Sequence, residues 1–340
     1  MSNLTLRLYG FGRLDFQRRT LFNDGTADSS TITWRSSRVT LRARHVHADE
    51  DRALNSRLEY DFREGTQARP RPRLRLAYAE AEISDGWALL AGQAYDVWYI
   101  YCPSLLTSIY PVNRRPQLRL TKTTEFEDNT LLTVRAAAVR NSCDNIDDAH
   151  SDANSKARRA LFQGAIILER PWLTERAARI ALAGSYGREC YEFQDERDAD
   201  GLYDTGLVNS YGWVPLCEWF ALSGAVYGGE NLDTYFMGGA AQGVSGRRGE
   251  TIKGVGGWAQ GTYYHTRYWR FNAGYSFLHL QDHGLAAGER DQYECYSINT
   301  AYFLKSGLQL VLEGNYFFEE RLGASCKEHA QLQCSIYYFF

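Results

Sequence analysis

The sequence is short of most features that place a protein quickly. No stretch approaches the roughly twenty apolar residues that a spanning helix needs, and mean hydropathy is −0.44. A helical membrane protein is excluded, but a β-barrel is not, because its strands carry only a weak alternating signal. Methionine occurs twice and proline seven times, and every proline (70, 72, 103, 111, 116, 171, 215) falls where a connector or strand end is read. A ladder of backbone hydrogen bonds demands that placement. A net charge of −3 gives no basis for nucleic-acid binding or an acidic tail. The seven cysteines form no CxxC spacing, and their odd number leaves at least one unpaired in a monomer. Cys143, Cys190 and Cys326 fall in segments read as outside the cell, where disulfides form; their pairing stays open. No secretory signal is visible at Met1, so on a barrel reading Met1 is expected to be either an introduced start or a trimmed mature end.

What the chain has is alternation and aromatic rings. Tyr, Phe and Trp number 23, 16 and 8, a load suited to girdles at two membrane interfaces. Counting back from the terminus, Phe340, Tyr338, Ile336, Cys334, Leu332 and Ala330 are apolar. Between them lie Tyr337, Ser335, Gln333, Gln331 and His329, giving a strand with one greasy and one wet face. An unclosed edge there invites aggregation, so closure onto the first strand is predicted, as a bilayer requires.

The same period-two reading gives sixteen strands. The first covers about 3–16, the second 31–46, the third 53–63 and the fourth 72–83, with a bulge predicted near Tyr78 because Glu80 and Glu82 would otherwise face outward. The last is 328–340. Connectors alternate: 17–30, 96–115, 141–158, 188–205 and 229–250 are long, whereas 84–86, 127–129, 170–175, 216–217, 266–267 and 305–306 are tight. Long loops at one rim and short turns at the other mark a transmembrane barrel. The expected fold is therefore all-β: one antiparallel up-and-down barrel domain over 1–340, with long extracellular loops and short periplasmic turns.

Several stretches resemble the sixteen-stranded trimeric porins of Gram-negative outer membranes. They are Leu90-Ala-Gly-Gln-Ala-Tyr, Arg115-Pro-Gln-Leu-Arg-Leu, Tyr227-Gly-Gly-Glu-Asn-Leu, Gly256-Gly-Trp-Ala-Gln-Gly, Arg270-Phe-Asn-Ala-Gly-Tyr and the terminal Phe340. The resemblance covers essentially the whole chain. It implies a homotrimer in the outer membrane, in contact with lipid and lipopolysaccharide. Small hydrophilic solutes would pass through it, with the third long loop, 96–115, folded into the lumen. That loop is unusually apolar for a solvated one.

Function then rests on the lumen lining. The polar faces of the first four strands collect Arg7, Arg13, Arg38, Arg42, Arg44, Arg57, Arg73 and Arg75, joined by Arg119 and Arg135 from later strands. Guanidinium groups stay charged at any working pH and attract anions. Glu59, Asp61, Glu80, Glu82 and Asp96 are read as an opposing wall, and Tyr99 and Tyr101 as further constriction residues. A structural alternative is that these charges only pair with each other.

No cofactor or metal is expected. Glu196-Arg-Asp198-Ala-Asp200-Gly201 has Leu207 where a calcium loop needs its bidentate acid, and His45, His47, Asp49 and Glu50 read as a polar turn. No spacing nominates a catalytic set, so an enzyme is not expected. Rival readings are a channel selective for carboxylates or phosphates, an adhesin or surface anchor working through its loops, a barrel hydrolase, and a soluble all-β protein.

Overall fold

The computed structural model describes residues 3–21, 28–46, 52–66, 69–98, 111–140, 151–152, 160–192, 201–236, 251–281, 285, 288–324 and 326–340. Their extended segments form one sheet. Apart from the two-residue piece Ser151–Asp152, and with Ser29–Thr33 as an outlying piece of the second strand, sixteen strands make the wall. They are β1 (Asn3–Leu21), β2 (Arg38–Val46), β3 (Ala53–Gly65), β4 (Pro70–Ser84), β5 (Trp87–Tyr95), β6 (Arg114–Glu125), β7 (Leu131–Val139) and β8 (Leu161–Pro171). The second half comprises β9 (Ala177–Glu192), β10 (Gly201–Cys217), β11 (Phe220–Glu230), β12 (Lys253–Tyr264), β13 (Trp269–Leu280), β14 (Arg290–Phe303), β15 (Leu308–Arg321) and β16 (Lys327–Phe339).

Each strand pairs antiparallel with its sequence neighbours, and β1 closes on β16 from Phe11↔Phe339 to Leu21↔His329. Gly10 and Phe340 seal the seam with reciprocal backbone hydrogen bonds at 3.1 and 3.2 Å. The terminal alternation falls as expected: Leu332, Ile336, Tyr338 and Phe340 point outward, while His329, Gln333, Ser335 and Tyr337 are buried inside.

The wall is inside-out relative to a soluble core. Leu182, Val208, Val226 and Ile298 are exposed, whereas Asn209, Gln260, Asn272 and Asn299 are buried. Outward rings collect at two levels. Trp87, Trp219, Trp269 and Tyr302 lie by the tight turns, with Trp219 on Tyr263 at 5.8 Å and Trp269 on Tyr302 at 5.9 Å. Phe162, Tyr186, Tyr296 and Tyr316 lie towards the other rim. From Phe162 to Trp172 a strand of typical rise and tilt covers about 26 Å of height, matching the apolar band of a membrane barrel.

Connectors at one rim are confined to residues such as 85–86, 218–219 and 304–307; at the other they reach 96–113, 140–160 and 231–252. One local expectation is displaced. The bulge in β4 lies at Arg75, not near Tyr78: Leu74 pairs with Tyr60 and Leu76 with Glu59, leaving Arg75 as the added residue. The slip puts Glu80 on the inner face across from Asn55, and it places Arg75 among carboxylates.

Candidate functional site

Polar alternation on β2 and β3 aligns unlike charges across the inner face. Arg38 lies opposite Asp61, Thr40 opposite Glu59, and Asp61 in turn opposite Arg73 on β4. Such cross-strand pairs are the unit of sheet stabilisation. Arg75 is the hub: its guanidinium donates to Glu59 Oε1, Asp61 Oδ2 and Tyr95 Oη, each at 2.8 Å. Arg57 reaches Glu59 Oε2 at 2.6 Å, and Arg73 grips Asp61 with two bonds of 2.9 and 3.1 Å. Arg38 stands 4.0 Å from Glu59. Arg63, which the sequence places on the polar face of the third strand but not among the collected lumen arginines, donates through its side chain to Ser36 at 3.0 Å.

On β1, Arg13 bonds Asp15 at 2.6 Å and lies 5.0 Å over the Tyr337 ring. Asp15 is buried and also accepts from Gln333 at 3.0 Å. Glu59 and Asp61 thus stand between the arginines of one wall instead of forming an opposing one. Arg13, Arg38, Arg57, Arg63, Arg73 and Arg75 outnumber Asp15, Glu59 and Asp61, so the patch stays positive after pairing. Arg7, Arg42 and Arg44 lie on the same face and are exposed towards the tight-turn rim, where Arg42 stands across from Arg57 and Arg7 across from Arg42.

Facing it is an apolar plug inside the barrel. Val97 and Trp98 after β5, and Leu232, Tyr235, Phe236 and Ile252 between β11 and β12, pack against Leu161, Tyr211, Trp258 and Leu278 of the wall. The two connectors are stitched together. Val112 bridges Phe236, Trp98 meets Tyr235 edge-on at 5.9 Å, and Trp98 Nε1 donates to the Pro111 carbonyl at 2.9 Å. Asp96 is buried at the base of the plug. It accepts from the Asn113 backbone at 3.0 Å and from Gln163 at 2.8 Å, with Arg115 at 3.6 Å. Arg115 also lies 5.3 Å over Tyr235.

Arg135 donates to the Val97 carbonyl at 3.0 Å, and Arg119 stands 3.5 Å from Glu80. Asp96 and Arg135 therefore hold the connector. Tyr99 and Tyr101 lie outside the described residues, as do Cys102, Cys143, the 193–200 loop and His47, Asp49 and Glu50. Among the described residues, Cys217, Cys295, Cys326 and Cys334 form no disulfide.

Sequence reasoning missed the second connector. Its short turn, Leu232–Tyr235, carries the same signal used for the third loop: apolar side chains in a segment too long to be a turn.

No family model matches the chain, and no curated protein does. Solved structures do. The outer membrane channel DcaP of Acinetobacter baumannii superposes with a TM-score of 0.81 at 18% identity, over 99% of this chain and 97% of that one. An anion-selective porin from Comamonas acidovorans gives 0.67 at 9% identity, over 99% and 100%. OmpT, an outer membrane protein of Vibrio cholerae in its trimer form, gives 0.61 at 12%, over 99% of each chain. With its closed sixteen-stranded wall and connectors turned into the lumen, the chain has the fold of the outer-membrane porins.

Proposed function

We propose that this chain is a porin of the bacterial outer membrane: a passive, water-filled channel for small hydrophilic solutes that leans toward anions. The observation that carries the reading is the lumen itself. An arginine-rich patch on β1–β4 faces an apolar plug, so a solute passes along one strongly positive wall. A sixteen-stranded barrel is wide enough to leave an aqueous path beside such a plug. In that confined, low-dielectric setting the fixed guanidinium charges act at longer range than in bulk water. They need no reorganisation as the ion arrives, because the Glu59–Arg75–Asp61 network already holds them.

The aperture is set jointly by connectors 96–113 and 231–236. Asp96, Arg115 and Arg135 have a positioning role, and Arg13, Arg38, Arg57, Arg73 and Arg75, with Glu59 and Asp61, line the path. Arg42 stands at the tight-turn mouth and Arg119 beside Glu80. Tyr99 and Tyr101 belong to the same connector. The protein works as one barrel domain and as a homotrimer, in contact with outer-membrane lipid and lipopolysaccharide, and carries out no chemistry.

A second reading, a channel selective for carboxylates or phosphates, is favoured by the concentration of forked donors in one patch, since guanidinium groups match those anions bidentately. The test is current across a planar bilayer doped with purified protein. Steps in groups of three support a trimeric channel. Saturation of the current by a carboxylate or by phosphate, but not by chloride, favours the selective channel. A folded barrel that carries no current moves the function to the loops.

A further inference from the structure

We propose a second oxyanion site, at the long-connector mouth of the lumen, formed by Arg19, Arg290, Arg321 and Lys327 around Glu319. It is separate from the mid-lumen patch and would take the carboxylate or phosphate group of an arriving solute. Its role in passage rests on the porin reading; its existence does not.

Register brings these residues together on the inner face. Glu319 of β15 lies across from Lys327 of β16, and Phe317 across from His329. The irregularity between Arg290 and Gln292 at the start of β14 sets Arg290 opposite Arg321. Two arginines in direct cross-strand register repel, and here one carboxylate is placed to bind both. Glu319 accepts from Arg290 at 2.8 Å through Oε2 and from Arg321 Nε at 2.7 Å through Oε1. Arg321 also donates to the Gly288 carbonyl at 3.1 Å.

The floor is aromatic. Phe317 stacks on His329 at 4.5 Å, and Arg290 lies 4.9 Å over the Tyr293 ring. Arg19 joins from β1, opposite Gln331 and two residues from Leu21, which pairs with His329. Glu319 is buried with both its oxygens engaged, while the two guanidinium groups bonded to it remain partly open. Arg290 and Arg321 thus share one saturated carboxylate, with Lys327 in cross-strand register beside it and Arg19 two strands away; Glu289 and Asp291 are further acids at the start of β14.

Along β1 the inner-face arginines recur every six residues, at Arg19, Arg13 and Arg7. That spacing is about 20 Å of strand per step. An anion held at the mouth therefore has its next cation in the mid-lumen patch.

The test is binding of inorganic phosphate to the purified full chain in detergent, followed by phosphorus NMR line width at low ionic strength. Saturable binding is expected, weakened about tenfold in R290Q/R321Q, strengthened in E319Q, retained in R73Q, and lost in high salt. Unchanged affinity in R290Q/R321Q, or abolition of all binding by R73Q alone, overturns the site. If R290Q/R321Q does not fold to a heat-modifiable barrel, E319Q decides, since unchanged affinity there overturns it equally. Current without phosphate binding refutes this site alone, whereas phosphate binding by a barrel that never conducts refutes the porin reading alone.

Discussion

Replacing Arg75 with methionine tests whether the lumen charges form a buried network or a solvated fringe. The substitution keeps an unbranched stem and removes three hydrogen bonds of 2.8 Å, to Glu59, Asp61 and Tyr95. All three charged side chains are no more than 5% exposed, so solvent screening relieves little of the loss. Stripping one partner from a buried ion pair costs about 3–5 kcal/mol when the remaining charge is left alone. Neither carboxylate is left alone here: Glu59 keeps Arg57 at 2.6 Å, and Asp61 keeps Arg73 at 2.9 Å. The expected loss is therefore smaller, about 2–3 kcal/mol. It is read as a lowered urea midpoint, with an unchanged slope, in tryptophan-fluorescence unfolding of the reconstituted barrel. Adding Glu59→Gln to Arg75→Met should recover part of it, because the uncompensated charge goes too. A single variant within about 0.5 kcal/mol of the parent would refute the buried network.

Neutralising carboxylates instead of arginines should act on selectivity. With Glu59→Gln an anion about 6 Å away loses a repulsion of about 0.7 kcal/mol even at the dielectric constant of water, so chloride passage should ease about threefold and the chloride-to-potassium permeability ratio should rise by at least that factor. Trp98→Ala removes the wedge between Pro111 and Tyr235. It should cost about 3–5 kcal/mol as a buried aromatic truncation while raising single-channel conductance and open-state noise. Gly10→Val should weaken the seam, because a Cβ at position 10 would press on the Arg38 carbonyl oxygen. A lower temperature of heat modification on gels, equivalent to about 1–3 kcal/mol, is the expected readout.

Much of the wall was legible because water and lipid impose opposite demands on alternate residues. Leu332 and Ile336 against Gln333 and Ser335 can be arranged in only one way once the strand closes on β1. The inner-face arginines could be located for the same reason: Arg38, Arg57 and Arg73 keep phase with Thr40, Glu59 and Asp61.

Two features escaped that logic. The bulge depends on which residue the partner strand leaves unpaired, and both Arg75 and Tyr78 suit a phase change when β4 is read alone. Only pairing against Glu59 and Tyr60 selects Arg75. The plug depends on contacts between connectors far apart in sequence, such as Val112 with Phe236, which no local period records. Its apolar residues, Leu232, Tyr235 and Phe236, were nevertheless visible as an anomaly in a long loop. Asp96 shows the converse. As a charge in a lumen loop it reads as a pore group, whereas its bonds to Asn113 and Gln163 make it an anchor.

The reversal potential of single channels in a KCl gradient tests the central claim, that fixed arginine charge governs what passes. A value displaced toward the chloride equilibrium potential is expected, and it should move back toward zero in Arg75→Met. A displacement toward the potassium potential in the parent protein would contradict it, leaving the guanidinium groups as braces of the wall with no part in choosing the ion.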